Sequence, residues 1–472
     1  MQTTFRVQRK SIHHVSKSNL KKTPYILGIE TSCDDTCAAV LDLKGMILSN
    51  VKQSQLVQHL SFGGVLPSLS FQLHAESINQ VVLAALRQAG VKNMQQIAAV
   101  GITTRPGLSL SLNVGLDYAK RLCKKYTLPM IPIHHMEAHA LTALHRHAID
   151  FPFLCLLISG GHSQLALFKR LDSIFLLGHS VDIAPGDLFD KLARELRLRN
   201  LGPPFDQISG GEAIERLAAF GRPVYSINRQ PMNRKLNCDF SYSGMASATQ
   251  QLIDRLNHQS NTSTSKGWLL DAPIEQVADI CASIQLQVSQ HLALRLHRSV
   301  KFLECSNLLH EDVVRKEQIR YQQIDYLDEK AVRLPLVISG GVACSDAITG
   351  FLRRYTQQMS SFYDQSQLQV FVPRPRLLCT DNAVMIAWNA LLKYAYDYGF
   401  EDQFLNGVRI RKRLEKEENV SFFCLHQQNH VDSVKSEHKA PLGIDIRDLV
   451  EAFNISIIPV HLENQDTYVM KK

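Results

Sequence analysis

The chain carries one succession of secondary-structure elements twice, and few folds accommodate such a pattern. In the first half, Tyr25–Glu30, Cys37–Leu43 and Met46–Val51 read as strands, the last two joined by a turn at Lys44-Gly45. A helix over Glu76–Gln88 stops near Gly90; a strand over Ile97–Thr103, a helix over Val114–Tyr126, a strand over Met130–Ile133 and a helix over His135–His147 follow. In the second half, Phe153–Ile158, Gln164–Lys169 and Ile174–Gly178 are again three strands. A long, mostly helical insertion including Pro273–Glu304 follows, then a strand over Leu334–Ile338, a helix over Asp346–Tyr355, a strand over Gln369–Val372 and a helix over Asn382–Tyr398. The pattern predicts an α/β protein of two lobes, residues 24–150 and 151–398, facing one another across a central cleft where ligands gather. Residues 305–331 are charged and read as an insertion; 399–472 read as a peripheral C-terminal extension.

Composition narrows the setting. No apolar run approaches the roughly 18–20 residues that cross a bilayer, so no membrane partner is expected. Ten cysteines are scattered with no C-x-x-C pair, as in reduced thiol usage rather than a disulfide scaffold or zinc ribbon. Residues 1–23 hold six of the basic side chains and no acid, and removing them lowers the net charge from +8 to +2. This leader reads as a mitochondrial transit peptide, in preference to a basic arm that touches nucleic acid. A nucleic-acid site on the nearly neutral body must then be a local patch, and Lys120, Arg121, Lys124 and Lys125 on one helix are the candidates for RNA phosphates.

Three sets of residues bear chemistry. In His135-Met-Glu-Ala-His139 the two histidines stand at i and i+4, about 40° apart around a helix, so both rings reach one ion. Asp381 opens the corresponding helix of the second half, and a pseudo-twofold relation between lobes brings it to the same place. Two imidazoles and a carboxylate with open positions suit one catalytic divalent ion, iron or zinc. Glu137 is roughly 200° around the helix from His135 and is badly placed as a metalloprotease base. Glycine turns at Ser159-Gly-Gly-His-Ser163 and Ser339-Gly-Gly-Val-Ala-Cys-Ser345 let backbone N–H groups approach phosphate oxygens. Asp190, Gly211 and Glu215 are candidates for binding hydroxyls of a ribose or an amino-acid moiety, while Asp187 and Glu215 read equally as helix first-turn acids that interact with the dipole.

Seven segments together resemble the universal tRNA threonylcarbamoyladenosine transferases, once described as O-sialoglycoprotein endopeptidases. They are LGIETSCDDT (27–36), HMEAH (135–139), ISGGHSQL (158–165), PGDLFDK (185–191), FSYSG (240–244), ISGGVACS (338–345) and CTDNAVMIAW (379–388). The likeness spans about residues 25–398 and, with the basic leader, points to the mitochondrial branch. It implies an actin/Hsp70/sugar-kinase-like fold and transfer of a threonylcarbamoyl group from threonylcarbamoyl-AMP to N6 of adenosine 37, releasing AMP. The acceptors are tRNAs reading codons that start with A. It also implies a homodimer in the mitochondrial matrix, served by an upstream threonylcarbamoyl-AMP synthase.

By the same resemblance His135, His139 and Asp381 match metal ligands. Ile158, Ser159, Gly160, Gly161, His162, Asp190, Gly211, Glu215, Gly340, Gly341 and Thr380 match adenylate-binding positions. Ser345 stands where the family often has asparagine, Ala138 where it has glycine, and Ser68 and Gln72 where it has glutamate and arginine. Asp34 and Asp35 are the first candidates for the general base. The rival readings are a metallopeptidase and a non-catalytic ATP-binding scaffold.

Overall fold

A computed structural model of the chain describes residues 25–60, 62, 64–227, 232, 235–259, 273–309, 311–321, 334–363, 368–373, 378–397, 428–455 and 457. The basic leader lies outside these residues. Strands β1 (Tyr25–Glu30), β2 (Asp35–Asp42) and β3 (Ile47–Ser54) form an antiparallel meander. Helices α1 (Leu56–Leu60) and α2 (Pro67–Gln88) lead to β4 (Ile97–Arg105), parallel to β1; α3 (Ser109–Tyr126) leads to β5 (Met130–His134), and α4 (His135–Leu141) follows. The parallel neighbours are joined through helices, as parallel pairing requires.

The second half repeats this. Strands β6 (Phe153–Ile158), β7 (Ser163–Arg170) and β8 (Ser173–His179) form a meander, followed by α5 (Pro185–Glu195), α6 (Gly210–Ala218), α7 (Ser243–Gln259) and α8 (Ile274–Glu304). Then come β9 (Leu334–Ser339), α9 (Asp346–Tyr363), β10 (Leu368–Phe371) and α10 (Ala383–Asp397). The two sheets run β3-β2-β1-β4-β5 and, in the same sense, β8-β7-β6-β9-β10.

Side-chain alternation along the strands builds three cores. Leu27 and Ile29 of β1 face α2 and α3; Leu154, Leu156 and Ile158 of β6 face the helices of the long insertion. Ile26 on one sheet, and Phe153, Cys155 and Leu157 on the other, turn inward onto α4 and α10, which fill a shared central layer. Close packing there needs small residues. A Cβ on Gly28 of β1 would stand 2.4 Å from the Ala387 nitrogen, and one on Gly101 of β4 would stand 2.5 Å from the Ala390 Cβ. The last helix of the second half therefore lies on the first-half sheet. Trp388, fully buried, donates its indole N–H to the Leu141 carbonyl at 3.0 Å and ties α10 to α4. The central layer thus fixes how the ends of α4 and α10 meet.

Three expectations need correction. The described part of the C-terminal extension is not peripheral. Its α11 (Gln428–Ser433) lies against α3, the Glu437 N–H bonds the Thr104 carbonyl at 2.9 Å, and β11 (Ile444–Asp445) adds a strand beyond β8. α12 (Arg447–Ala452) then sets Val450 into the second core. The segment spans both lobes, and its alternating charges hid this role in the sequence. The described part of 305–331 likewise buries Leu308, Val313 and Ile319. Helix α4 ends at Leu141 and continues as a 3-10 turn over Thr142–His145, earlier than the periodicity suggests.

Candidate metal centre and ligand cleft

Helix α4 begins directly at the end of β5, so His135 occupies its first position and His139 lies one turn on, in a helix that is buried throughout. Asp381 stands just before α10, and Asn382 caps that helix. The Asn382 side chain accepts the Met385 N–H at 3.0 Å and donates to the Thr380 carbonyl at 2.7 Å. The two helix starts bring the three side chains together. Asp381 Oδ1 is 3.1 Å from His139 Nε2 and 3.5 Å from His135 Nε2, and one ligand atom from each residue lies within 4.8 Å of the others.

A fourth residue supports this group. Glu30, fully inside the protein at the end of β1, places Oε2 3.1 Å from His135 Nδ1 and accepts the Thr103 hydroxyl at 2.6 Å. Its Oε1 accepts the Ser32 N–H at 2.5 Å, and the Ser32 hydroxyl also meets His135 Nδ1 at 3.1 Å. The turn between β1 and β2 is held from α2, where Ser70 Oγ and His74 Nε2 bond the Cys33 carbonyl at 2.6 and 3.0 Å.

The charges follow. Burial would lower the His135 pKa, but Asp381 and Glu30 outweigh it and raise it to about 9. Burial holds His139 below its ordinary value despite its bond to Asp381. Asp381 is driven well below the carboxylate range, the two histidines overcoming the effect of burial. Burial, then His135 and His139, press His162 down to about 4, so it is neutral at physiological pH. Asp34 is raised by burial and by Asp35 and Asp381; Asp35 is raised by burial against the pull of Lys52, with which it forms an ion pair.

The glycine turns sit beside open space. Nothing lies within 4 Å of a Cβ built on Gly160, Gly161 or Gly341, whereas Gly340, at φ +100°, would bring one to 2.4 Å from the Ile158 carbonyl oxygen. Gly340 therefore serves the packing of the two turns, and the other three leave backbone uncovered. The Ser339 hydroxyl donates to the His139 carbonyl at 2.8 Å, linking one turn to the histidine helix. In the other turn the Ser159 and His162 N–H groups close the loop on themselves, at 2.8 Å to the His162 carbonyl and 3.1 Å to Ser159 Oγ.

The remaining candidates hold helix ends. Asp190 Oδ1 accepts the Gly211 N–H at 3.2 Å; Glu215 Oε1 accepts the Asp346 N–H at 2.9 Å, at the start of α9. Ser345 Oγ accepts from Gln285 Nε2 at 3.1 Å and from the Ile348 N–H at 3.3 Å. Thr380 is half-buried beside Asp381. In the basic cluster, Lys120 donates to the Val434 carbonyl at 2.6 Å and Lys124 pairs with Asp432 at 2.5 Å, so the C-terminal segment engages both; Arg121 and Lys125 remain exposed.

A family model described as tRNA N6-adenosine threonylcarbamoyltransferase matches residues 46–388. The chain belongs to that family. It is 38% identical to the mitochondrial tRNA N6-adenosine threonylcarbamoyltransferase of Rattus norvegicus over 449 residues, covering 95% of this chain and 91% of the relative. Against the mitochondrial protein of Homo sapiens it is 37% identical over 438 residues, covering 93% and 91%. Against the tRNA N6-adenosine threonylcarbamoyltransferase of Sinorhizobium medicae (strain WSM419) it is 35% identical over 368 residues, covering 77% and 88%. Membership agrees with the repeated sheet order and shared helix layer, which form the expected two-lobed actin/Hsp70/sugar-kinase-like fold.

For a threonylcarbamoyltransferase of this family, the donor set fits a divalent ion. Donors bound at 2.0–2.1 Å around a tetrahedral ion are about 3.3 Å apart; Asp381 Oδ1 stands 3.1 and 3.5 Å from the histidine nitrogens, in a group whose ligand atoms all lie within 4.8 Å of one another. Glu30 and Ser32 take His135 Nδ1, leaving Nε2 for the centre, as ligating histidines usually require. Sequence reasoning missed Glu30, Ser32 and Asn382. For Glu30 the signal was present: a lone acid closing an otherwise apolar strand.

Proposed function

We propose that this protein is the mitochondrial enzyme that transfers a threonylcarbamoyl group from threonylcarbamoyl-AMP to N6 of adenosine 37 in tRNAs reading codons that start with A. The observation that carries the reading is the His135–His139–Asp381 group, built from both lobes beside the uncovered glycine backbone. His135, His139 and Asp381 hold one divalent iron or zinc ion per subunit, which when bound supplies Lewis-acid neutralisation of charge gathering on the donor's oxygens. The N–H groups of Gly160, Gly161 and Gly341 offer donors for the adenylate phosphate.

The exocyclic amine attacks the carbamoyl carbon, the bond from that carbon to the phosphate oxygen breaks, and AMP leaves with the electron pair. The amine proton passes to a carboxylate. Asp34 suits this better than Asp35, because burial and two neighbouring carboxylates raise its basicity while Lys52 occupies an oxygen of Asp35. Adenosine 37 must be splayed from its stacked loop to reach the cleft. Arg121 and Lys125 are the cations of the basic cluster left for phosphate contact. The matrix location, the homodimer and an upstream synthase of the donor belong to the same reading.

A peptidase fits poorly, since Glu137 is buried in an ion pair with Lys393 at 3.0 Å rather than facing the histidines' ligand atoms. A scaffold has no use for the three-ligand group. Purified protein given threonylcarbamoyl-adenylate and unmodified tRNA is expected to form threonylcarbamoyladenosine and AMP in equal amounts, and to leave a glycoprotein substrate intact. Peptide cleavage without tRNA modification would reverse this conclusion.

A further inference from the structure

Lys52 enters the function proposed above only by occupying an oxygen of Asp35, yet it touches both lobes of the site. It lies on β3, opposite Cys37 of β2, with a quarter of its side chain exposed. Its Nζ makes an ion pair with Asp35 Oδ2 and donates to the backbone carbonyl of Asp381 at 3.2 Å. The Asp381 peptide lies between β10 and α10, outside the strand ladder. Among the described contacts, Asn382 bonds the Met385 N–H of α10 and the Thr380 carbonyl, and Lys52 reaches this stretch from the other lobe.

We propose that Lys52 is a positioning residue that latches the carboxylate ligand Asp381 of one lobe onto the β1–β2 hairpin of the other. Two physical effects support this, and both rest on the metal reading above. The first is geometric: the bond to the Asp381 carbonyl restrains the peptide from which the ligand side chain projects. The second is electrostatic: Glu30, Asp34, Asp35 and Asp381 crowd four carboxylates into one site, and Lys52 sets a cation between two of them. Without that cation, an anionic adenylate meets Asp35 and Asp381 less shielded. An ordinary surface ion pair would explain the Asp35 contact alone, and such pairs contribute little. The second bond, to a ligand's own backbone, distinguishes Lys52 from one.

The test uses the full chain, with zinc as the probe and a competing chelator to report its dissociation constant. Lys52→Met is expected to weaken zinc binding at least tenfold, in the range seen when outer-shell partners of metal ligands are lost, about 10–100-fold. It should also raise the KM for threonylcarbamoyl-adenylate more than it lowers kcat. Lys52→Arg, which keeps both contacts within reach, should restore zinc affinity to within about threefold. The metal-free methionine variant should lose some stability because Asp35 is left unpaired, so zinc affinity is compared at a temperature where each variant is folded, and Lys52→Gln serves if the methionine variant folds poorly. Asp35→Asn combined with Lys52→Met separates the two effects: affinity should stay low, and full recovery would reduce Lys52 to a charge on Asp35 and overturn the latch. His139→Ala is the control. Wild-type zinc affinity in Lys52→Met, with binding lost in His139→Ala, would overturn the latch alone. Zinc retained in His139→Ala would overturn the metal reading as well.

Discussion

Glu30 Oε2 sits 3.1 Å from His135 Nδ1 while the same carboxylate also accepts Thr103 and Ser32, so a first-lobe strand end sets the orientation of the histidine ring. A carboxylate behind a ligating imidazole fixes its tautomer and raises its basicity. Glu30→Gln should therefore keep the fold, because its carbonyl still accepts one bond, yet weaken metal affinity by about 10–100-fold. Glu30→Ala also orphans the buried Ser32 and Thr103 donors and should lose about 1–3 kcal/mol of stability for each. Chelator competition and urea unfolding separate the two losses.

The raised His135 pKa makes the metal-free protein pH-sensitive. A histidine whose folded pKa lies above its unfolded value stabilises the fold fully below the unfolded value, near 6.5, and loses that contribution as pH rises through the folded value, here about 9. Chelated protein should lose stability between about pH 6.5 and 9.5, and His135→Ala should flatten that part of the curve. Metal loading near neutral pH should release a proton, measured as a dependence of binding heat on buffer ionisation.

Neighbouring glycines should respond differently to alanine. Gly340→Ala forces a side chain into a positive-φ position and against the Ile158 carbonyl, and should cost at least about 2 kcal/mol in unfolding experiments. Gly341→Ala meets open space. It should leave stability nearly unchanged and raise the KM for the adenylate donor, because a methyl group then occupies the space beside the uncovered N–H groups.

Lys393 and Glu137 form a buried ion pair between α10 and α4, both side chains at most 10% exposed. Lys393→Met strands a buried carboxylate and should cost about 3–5 kcal/mol. Adding Glu137→Gln should recover much of this loss, as a double-mutant cycle in denaturant would show.

The duplicated order of elements was legible because strand and helix periodicities are local, and both sheets follow it. The histidine pair was legible because i and i+4 share a helix face, and Asp381 because the repeat relates the two helix starts. Lys52 was not, because its importance lies in contacts across the fold that no spacing encodes; Glu30 was signalled by its charge at the end of an apolar strand, but its partner His135 was not. The C-terminal segment was obscured for a similar reason. Lys120 and Lys124 look like a solvated basic face until Asp432 and Val434 arrive from more than three hundred residues away. Asp190 and Glu215 matched ligand positions in sequence, Ser345 stands at one in place of the family's asparagine, and each also proves to bond the start of a helix.

The central claim is that two imidazoles from one lobe and a carboxylate from the other hold the ion on which transfer depends. The most direct measurement is single-turnover formation of threonylcarbamoyladenosine on unmodified tRNA by chelated protein, with and without one equivalent of iron or zinc, read by mass spectrometry alongside bound-metal content. The account predicts negligible product from chelated wild type, recovery at one ion per chain, and neither ion nor product with His139→Ala or Asp381→Ala. Full-rate modification by the metal-free protein, or by a His139→Ala variant that binds no ion, would contradict it.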